Sequence, residues 1–93
     1  MNTAETLKQL GGSKFVAMTG ATCYDDNGTL VVKFKGSNVA NILYVKLNDL
    51  DLYDLDFAKY RGMNVKTTHQ FRNVYSDMLQ SVFTKTTGLY TRL

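Results

Sequence analysis

The sequence predicts an α+β fold in which helices cover one face of an antiparallel sheet. Apolar and polar residues alternate through much of the middle of the chain, which is the period of half-buried strands. Asn27-Gly28 is the strongest short signal for a β-hairpin. Between 74 and 87, apolar residues recur with the spacing of one helix face. We therefore expect a two-layer sandwich, a meander of four to five strands, with elements in the order α-β-β-β-β-β-α.

A short helix is expected at 3–10, where Leu7 and Leu10 form an apolar edge and Gly11-Gly12 ends the helix. Beyond it the period changes to two, and clusters of turn residues separate the apolar runs. The predicted strands cover residues 15–23, 30–35, 42–47, 53–60 and 64–71.

Cross-strand neighbours share a face, so the same pattern predicts register. A three-residue turn at 61–63 keeps the apolar residues of the last two strands on one face, whereas a two-residue turn breaks that pattern. The Asn27-Gly28 turn places small residues opposite the second strand. The predicted pairs are Tyr53 with Phe71, Leu55 with His69 and Phe57 with Thr67, and the small inward residues are Thr19, Ala21 and Cys23.

The C-terminal helix, at about 74–87, is expected to cover the apolar face of the sheet. Asn73 is a suitable N-cap, and Gly88 suits a left-handed residue after the helix. The tail, 89–93, is apolar enough for Leu89 or Tyr90 to fold back onto the core. The stripe assigned to the core consists of Tyr75, Met78, Leu79, Val82 and Phe83.

The 93 residues suffice for a single domain, 1–93, with one modest core. No apolar run approaches the roughly 20 residues of a membrane span, and the N-terminus does not resemble a signal peptide. The lone Cys23 excludes an internal disulfide. A reducing cytoplasm is therefore the expected location, and no membrane partner is expected.

Charge is distributed unevenly along the chain, although the formal net charge is only +3. The segment 25–56 holds six aspartates against three lysines, whereas 57–93 holds six Lys or Arg residues against Asp77 alone. Such asymmetry permits binding to a polyanion without requiring it.

The outer face of the predicted sheet is the main candidate binding surface. Single-stranded nucleic-acid binders stack bases on aromatic side chains and pair phosphates with Lys or Arg. Asp54 and Asp56 share the face and weaken this interpretation. The candidate residues are Lys33, Lys35, Tyr44, Lys46, Tyr60 and Lys66.

An acidic turn is the second candidate. Calcium loops also place oxygen ligands at alternating positions, but the glycine and the terminal glutamate of such a loop are missing. Ordinary turn and surface chemistry is the preferred interpretation, and we expect no metal. The four residues are Asp49, Asp51, Asp54 and Asp56.

Catalytic groups are not evident. No spacing supplies a partner for His69, which is expected to be structural, and no basic residue near Cys23 lowers its pKa. No glycine-rich phosphate-binding fingerprint occurs. We expect no cofactor and no enzyme, the alternative being chemistry at Cys23 or His69.

Three segments carry a resemblance: GGSKFVAMTGA (11–21), LNDLDLYDLDFAKYRG (47–62) and VYSDMLQSVFTKTTGLYTRL (74–93). They resemble a family of small, mostly uncharacterised accessory proteins encoded by bacteriophages and prophages. The resemblance spans nearly the whole chain, and its first and last segments are the most specific. It implies action in a bacterial host cytoplasm during infection, and it implies no functional residues.

Two functions follow as hypotheses. The favoured one is a non-enzymatic protein that binds a host protein or nucleoprotein, such as an anti-defence inhibitor of the anti-CRISPR or anti-restriction type. The alternative is a single-stranded nucleic-acid-binding module that uses the outer face of the sheet. An exposed sheet edge also permits a homodimer.

Overall fold

A computed structural model describes residues 3–91. Three helices and five strands make up the fold, and one turn of 3-10 helix, Ser76–Met78, precedes the last helix. The helices are α1 Thr3–Leu10, α2 Gly12–Thr19 and α3 Leu79–Thr87. The strands are β1 Thr22–Asp26, β2 Thr29–Lys33, β3 Ile42–Leu47, β4 Tyr53–Arg61 and β5 Asn64–Val74.

The sheet is a five-stranded meander in the order β1-β2-β3-β4-β5, and every neighbouring pair is antiparallel. The predicted α+β class and the antiparallel meander are confirmed. Strands β1 and β5 form the two edges. None of the helices within residues 3–91 is long and apolar enough to cross a membrane.

The core lies between the helices and one face of the sheet. Phe83 of α3 is fully buried, and its ring meets those of Phe15 and Phe34 edge-on at centroid distances of 5.0 and 5.1 Å. Each large buried side chain contributes about 1.5–3 kcal/mol to the free energy of unfolding. The sheet residues buried beneath the helices include Leu30, Val32, Leu43, Val45, Leu55 and Phe57.

The strand predicted at 15–23 is wrong, because most of it is helix α2. Phe15 and Thr19 lie one helical turn apart, both are buried, and the Thr19 hydroxyl donates to the Phe15 carbonyl at 2.7 Å. Gly20 ends α2 in the left-handed conformation, so β1 starts only at Thr22. Cys23 pairs with Val32 and packs against the core, so its predicted inward position is confirmed.

The predicted register of the last two strands is also wrong. The turn is two residues long, Gly62-Met63, and Arg61 pairs with Asn64. Two irregularities in β5 restore the face pattern without lengthening the turn, because each adds an unpaired residue to one strand. The observed pairs are Tyr53 with Val74, Leu55 with Phe71, Phe57 with His69 and Ala58 with Thr67.

The C-terminal helix starts later than predicted, because β5 continues to Val74. Asn73 has a φ of 59° inside β5 and does not cap the helix. Of the predicted core stripe, Leu79 and Phe83 are buried, whereas Tyr75 is exposed and Met78 is 45% exposed. These two residues precede α3, so the helical period does not apply to them.

The end of α3 agrees with the prediction. Gly88 is left-handed, and its N–H donates to the Thr84 carbonyl at 2.8 Å. Leu89 folds back and packs against the core, whereas Tyr90 is exposed. Thr91 is buried, and its hydroxyl donates to Gln80 Oε1 at 2.9 Å. The last two residues of the predicted tail, 92–93, lie outside the described residues.

Candidate functional site

The outer face of the sheet carries a shallow depression of about 220 Å³. It lies across β1 to β5, where the end of the β4–β5 hairpin adjoins the sheet. We call it the tyrosine depression. Its lining residues are Tyr24, Lys33, Ile42, Tyr44, Tyr60, Gly62 and Val65.

A small apolar cluster supports the depression from below. Val31, Ile42 and Ala58 are buried on the outer face, one from each of the three central strands, and Tyr44 packs against them. Alternation within each strand sends these residues to the face opposite the main core. The cluster therefore forms an apolar floor beneath the Tyr44 ring.

Lys33 lies between two aromatic rings. Its ammonium nitrogen is 5.6 Å from the centroid of the Tyr24 ring and 5.9 Å from that of Tyr60. Both distances are within the range of cation–π attraction. The two tyrosines are 44% and 38% exposed, so part of each ring is open to a ligand. The site thus combines a cation with accessible aromatic faces.

Asn41 holds Tyr60 in position. Its side-chain Nδ2 donates to the Tyr60 carbonyl at 3.0 Å, and the Tyr60 N–H donates to its Oδ1 at 2.9 Å. The Asn41 backbone N–H donates to the Ala58 carbonyl at 3.0 Å. This pattern extends the contact between β3 and β4 by one step beyond the end of β3 at Ile42.

Of the six predicted surface residues, three line the depression and three do not. Lys33, Tyr44 and Tyr60 line the depression. Lys46 lies on the same outer face, directly opposite Asp54, whereas Lys35 is exposed beyond the end of β2 and lies outside the depression.

The predicted placement of Lys66 on the outer face is wrong. Lys66 pairs with Lys59, which alternates with Ala58 and Tyr60 and therefore points to the opposite side of the sheet. The error follows from the predicted three-residue turn, since a change of one residue in register exchanges the two faces.

Tyr24 and Val65 were missed by sequence reasoning. Tyr24 pairs with Val31, which lies on the outer face. Counting back from a two-residue Asn27-Gly28 turn would have placed Tyr24 there. Val65 pairs with Tyr60, and its face depended on the same turn that misplaced Lys66.

Two acidic residues of the outer face, Asp54 and Asp56, are engaged by neighbours. Asp56 accepts a hydrogen bond from Arg72 at 2.9 Å, which is also an ion pair, and another from Gln70 Nε2 at 3.2 Å. Asp54 accepts from Asn48 Nδ2 at 3.0 Å and from the Asn73 N–H at 3.2 Å. The hydrogen bond from Asn48, with smaller effects of Asn73 and nearby cations, lowers the pKa of Asp54.

The acidic turn is organised by the side chain of Asn48. Its Oδ1 accepts from the N–H groups of Leu50 and Leu52, at 2.8 and 3.2 Å. Asp49 and Asp51 are exposed. Within residues 3–91, no group of three or more His, Cys, Asp or Glu side chains could hold a metal ion.

Cys23 and His69 lie on the two opposite edge strands, β1 and β5. Four strand spacings separate these strands, roughly 19 Å, so the two side chains do not form a nucleophile–base pair. Burial raises the pKa of the Cys23 thiol. His69 is exposed and stacks on Phe71, with ring centroids 6.4 Å apart.

Comparisons with protein-family models, with curated proteins and with solved structures find no match to this chain. The case for a function therefore depends on the geometry of the outer face.

Proposed function

We propose that this protein is a non-enzymatic binding protein and that it binds single-stranded nucleic acid in the tyrosine depression. One observation carries the proposal: Lys33 Nζ lies 5.6 and 5.9 Å from two partly exposed tyrosine rings. Bases stack on aromatic rings whatever their sequence, and each stacked base contributes about 1–3 kcal/mol. The lysine supplies the positive charge that a neighbouring phosphate requires.

The size of the depression suits this ligand. Pockets for drug-sized molecules have volumes of about 300–1,000 Å³. A shallow depression of about 220 Å³ is smaller, and it is open along the sheet. It suits one flat ring of a longer strand better than a whole enclosed molecule.

Asp54 and Asp56, on the same face, do not oppose this ligand strongly. Asp56 is neutralised by Arg72, and Asp54 lies opposite Lys46. The tyrosine depression is lined by Lys33 and by no acidic residue. The repulsion of a phosphate by the face is thereby reduced near the depression.

Binding of labelled single-stranded oligonucleotides, measured by fluorescence anisotropy across a salt series, tests the proposal. Phosphate contacts predict an affinity that falls steeply with salt, and Lys33→Glu with Lys46→Glu should abolish binding. The matched control is Lys8→Glu with Lys85→Glu, which changes the charge equally on exposed helix positions and should retain most of the affinity. No binding at low salt, or an equal loss in both double variants, contradicts the proposal.

A protein partner is the second proposal, and one observation favours it. Met63, at the tip of the β4–β5 hairpin, is 100% exposed, and Val65 beside it is 62% exposed. An apolar tip of this kind suits a phage-type accessory protein that engages a host protein or nucleoprotein. Capture from nuclease-treated bacterial lysate should yield a partner that Met63→Asp loses. A partner retained by Met63→Asp argues against this role of the tip.

A further inference from the structure

The side of the β4–β5 hairpin that faces away from the tyrosine depression carries a second group of cations. Lys59 and Arg61 alternate with Tyr60 along β4, so they point to the opposite side of the sheet. Lys66 is the cross-strand partner of Lys59, and it is exposed. We call Lys59, Arg61 and Lys66 the cationic side of the hairpin.

Among the described residues, no acidic side chain forms an ion pair with the cationic side. Directly opposed like charges destabilise a strand pair, and Lys59 and Lys66 are such a pair. The sequence contains no acidic residue between Asp56 and Asp77. Within residues 3–91, no ion pair joins Arg61 or Lys66 to an acidic side chain. A bound polyanion would relieve this repulsion.

The cationic side is also accessible. Every residue from 61 to 67 is exposed, and β5 contributes only Val74 to the buried residues. The Lys59 ammonium donates to the Asn38 carbonyl at 3.0 Å, which orients it at the base of the hairpin. The helices therefore leave this part of the sheet open on both sides.

The edge of β5 is poorly suited to pairing with another β-strand, but it can be crossed by a strand of nucleic acid. Its two register shifts interrupt a regular ladder, and bulges and lysines are devices that protect edges from pairing. A strand of nucleic acid needs no regular ladder, only positive charge and aromatic faces.

From this arrangement we infer that a nucleic-acid strand bound in the tyrosine depression continues around the free edge of β5. Its phosphates then contact Lys59, Arg61 and Lys66 on the cationic side. The inference rests on the proposed function, and it specifies the ligand as a single strand long enough to contact both sides of one hairpin.

Oligothymidylates of two lengths test the inference, ~4 and ~16 nucleotides, the span of site sizes known for single-strand-binding folds. The wild-type protein should bind the longer one at least about tenfold more tightly. Arg61→Gln with Lys66→Gln should remove most of this gain and leave binding of the short oligonucleotide little changed. Two lost phosphate contacts should also reduce the salt slope by about 1.4, since each contributes about 0.7 for a single strand.

Lys8→Gln with Lys85→Gln is the matched control, and circular dichroism checks that each variant is folded. Equal affinity of the wild-type protein for both lengths, or an equal loss in the control, overturns the inference.

Tyr60→Ala separates this inference from the proposed function. If Tyr60→Ala weakens binding of both lengths while Arg61→Gln with Lys66→Gln changes neither, the proposed function stands and the inference fails. If Tyr60→Ala changes nothing while the double variant weakens binding of the long oligonucleotide, the proposed stacking in the tyrosine depression is overturned. The inferred phosphate contacts of the cationic side are then supported on their own. No binding of either length overturns both.

Discussion

The side-chain amide of Asn41 makes the two hydrogen bonds to the Tyr60 backbone that a neighbouring strand would otherwise make. It donates to the Tyr60 carbonyl at 3.0 Å and accepts from the Tyr60 N–H at 2.9 Å. The chain before Asn41 is irregular from Phe34 onward, so β4 has no backbone partner beyond this point on its β3 side. The single amide therefore determines where a ring of the candidate site is held.

Asn41→Ala should destabilise the protein and weaken nucleic-acid binding together. Each of the two lost hydrogen bonds is worth about 1 kcal/mol net, so we expect a loss of about 1–2 kcal/mol in the free energy of unfolding. Urea denaturation measures the loss, and anisotropy measures the affinity. Asn38→Ala is the control, because Asn38 is exposed and contributes its backbone carbonyl to Lys59. Equal effects of the two substitutions would contradict the role given to the Asn41 side chain.

Phe83→Ala and Met78→Ala should differ sharply, although both residues belong to the apolar stripe expected from the sequence. Phe83 is fully buried among aromatic rings, so its truncation should cost about 3–5 kcal/mol. Met78 is 45% exposed and precedes α3, so its truncation should cost about 0.5 kcal/mol or less. Thermal and urea denaturation compare the variants. A loss for Met78→Ala as large as that for Phe83→Ala would restore the stripe as predicted.

The sheet was predictable where alternation and turn residues agree. The third strand, 42–47, is found with its predicted bounds, and the fourth differs by one residue. The Asn27-Gly28 turn occurs between β1 and β2 as expected. Lys33, Tyr44 and Tyr60 could be placed together because β2, β3 and β4 pair without a register shift between Lys33 and Ala58.

Two features could not be read from the pattern, for different physical reasons. Residues 15–18 are all apolar, so they fit a buried strand and a helix equally well. In the folded protein they belong to α2, where Phe15 packs against Phe83. The irregularities in β5 leave no trace in the composition, because an inserted residue changes register and not residue type. Without these irregularities the pattern favours a three-residue turn, and that turn places Lys66 on the wrong face.

Gly11→Ala should be more destabilising than Gly12→Ala. Both glycines have positive φ, 124° and 61°, so any side chain is strained at either position. A Cβ at Gly11 would also lie 3.1 Å from Phe15 Cβ, whereas a Cβ at Gly12 meets nothing within 4 Å. We expect a loss of about 3 kcal/mol or more for Gly11→Ala and about 1–2 kcal/mol for Gly12→Ala, measured by urea denaturation. Equal losses would show that backbone strain alone governs this turn.

The thiol of Cys23 should react slowly in the folded protein. Cys23 is half-buried, burial raises its pKa, and the thiolate is the reactive form. Reaction with a chromogenic disulfide at mildly alkaline pH should be at least about tenfold slower in the native protein than in urea. Cys23→Ala provides the blank. Equal native and unfolded rates would show that the thiol is open to solvent.

Asn48→Ala should raise the pKa of Asp54, because the hydrogen bond from Asn48 is the largest cause of its depression below the ordinary value of 3.8. A folded-state pKa below the unfolded value stabilises the fold above the unfolded pKa, and this contribution is lost as the pH falls through the folded-state pKa. Asn48→Ala also removes the hydrogen bonds that the Leu50 and Leu52 N–H groups donate to Asn48. Their loss lowers the free energy of unfolding at every pH. The difference in unfolding free energy between wild type and Asn48→Ala should therefore be larger near neutral pH than well below pH 3.8, without vanishing in acid.

Carboxyl-carbon NMR follows the titration of Asp54, and urea denaturation at both pH values follows stability. An unchanged Asp54 titration in Asn48→Ala would show that Asn73 and the nearby cations, and not Asn48, hold the carboxylate in its charged form.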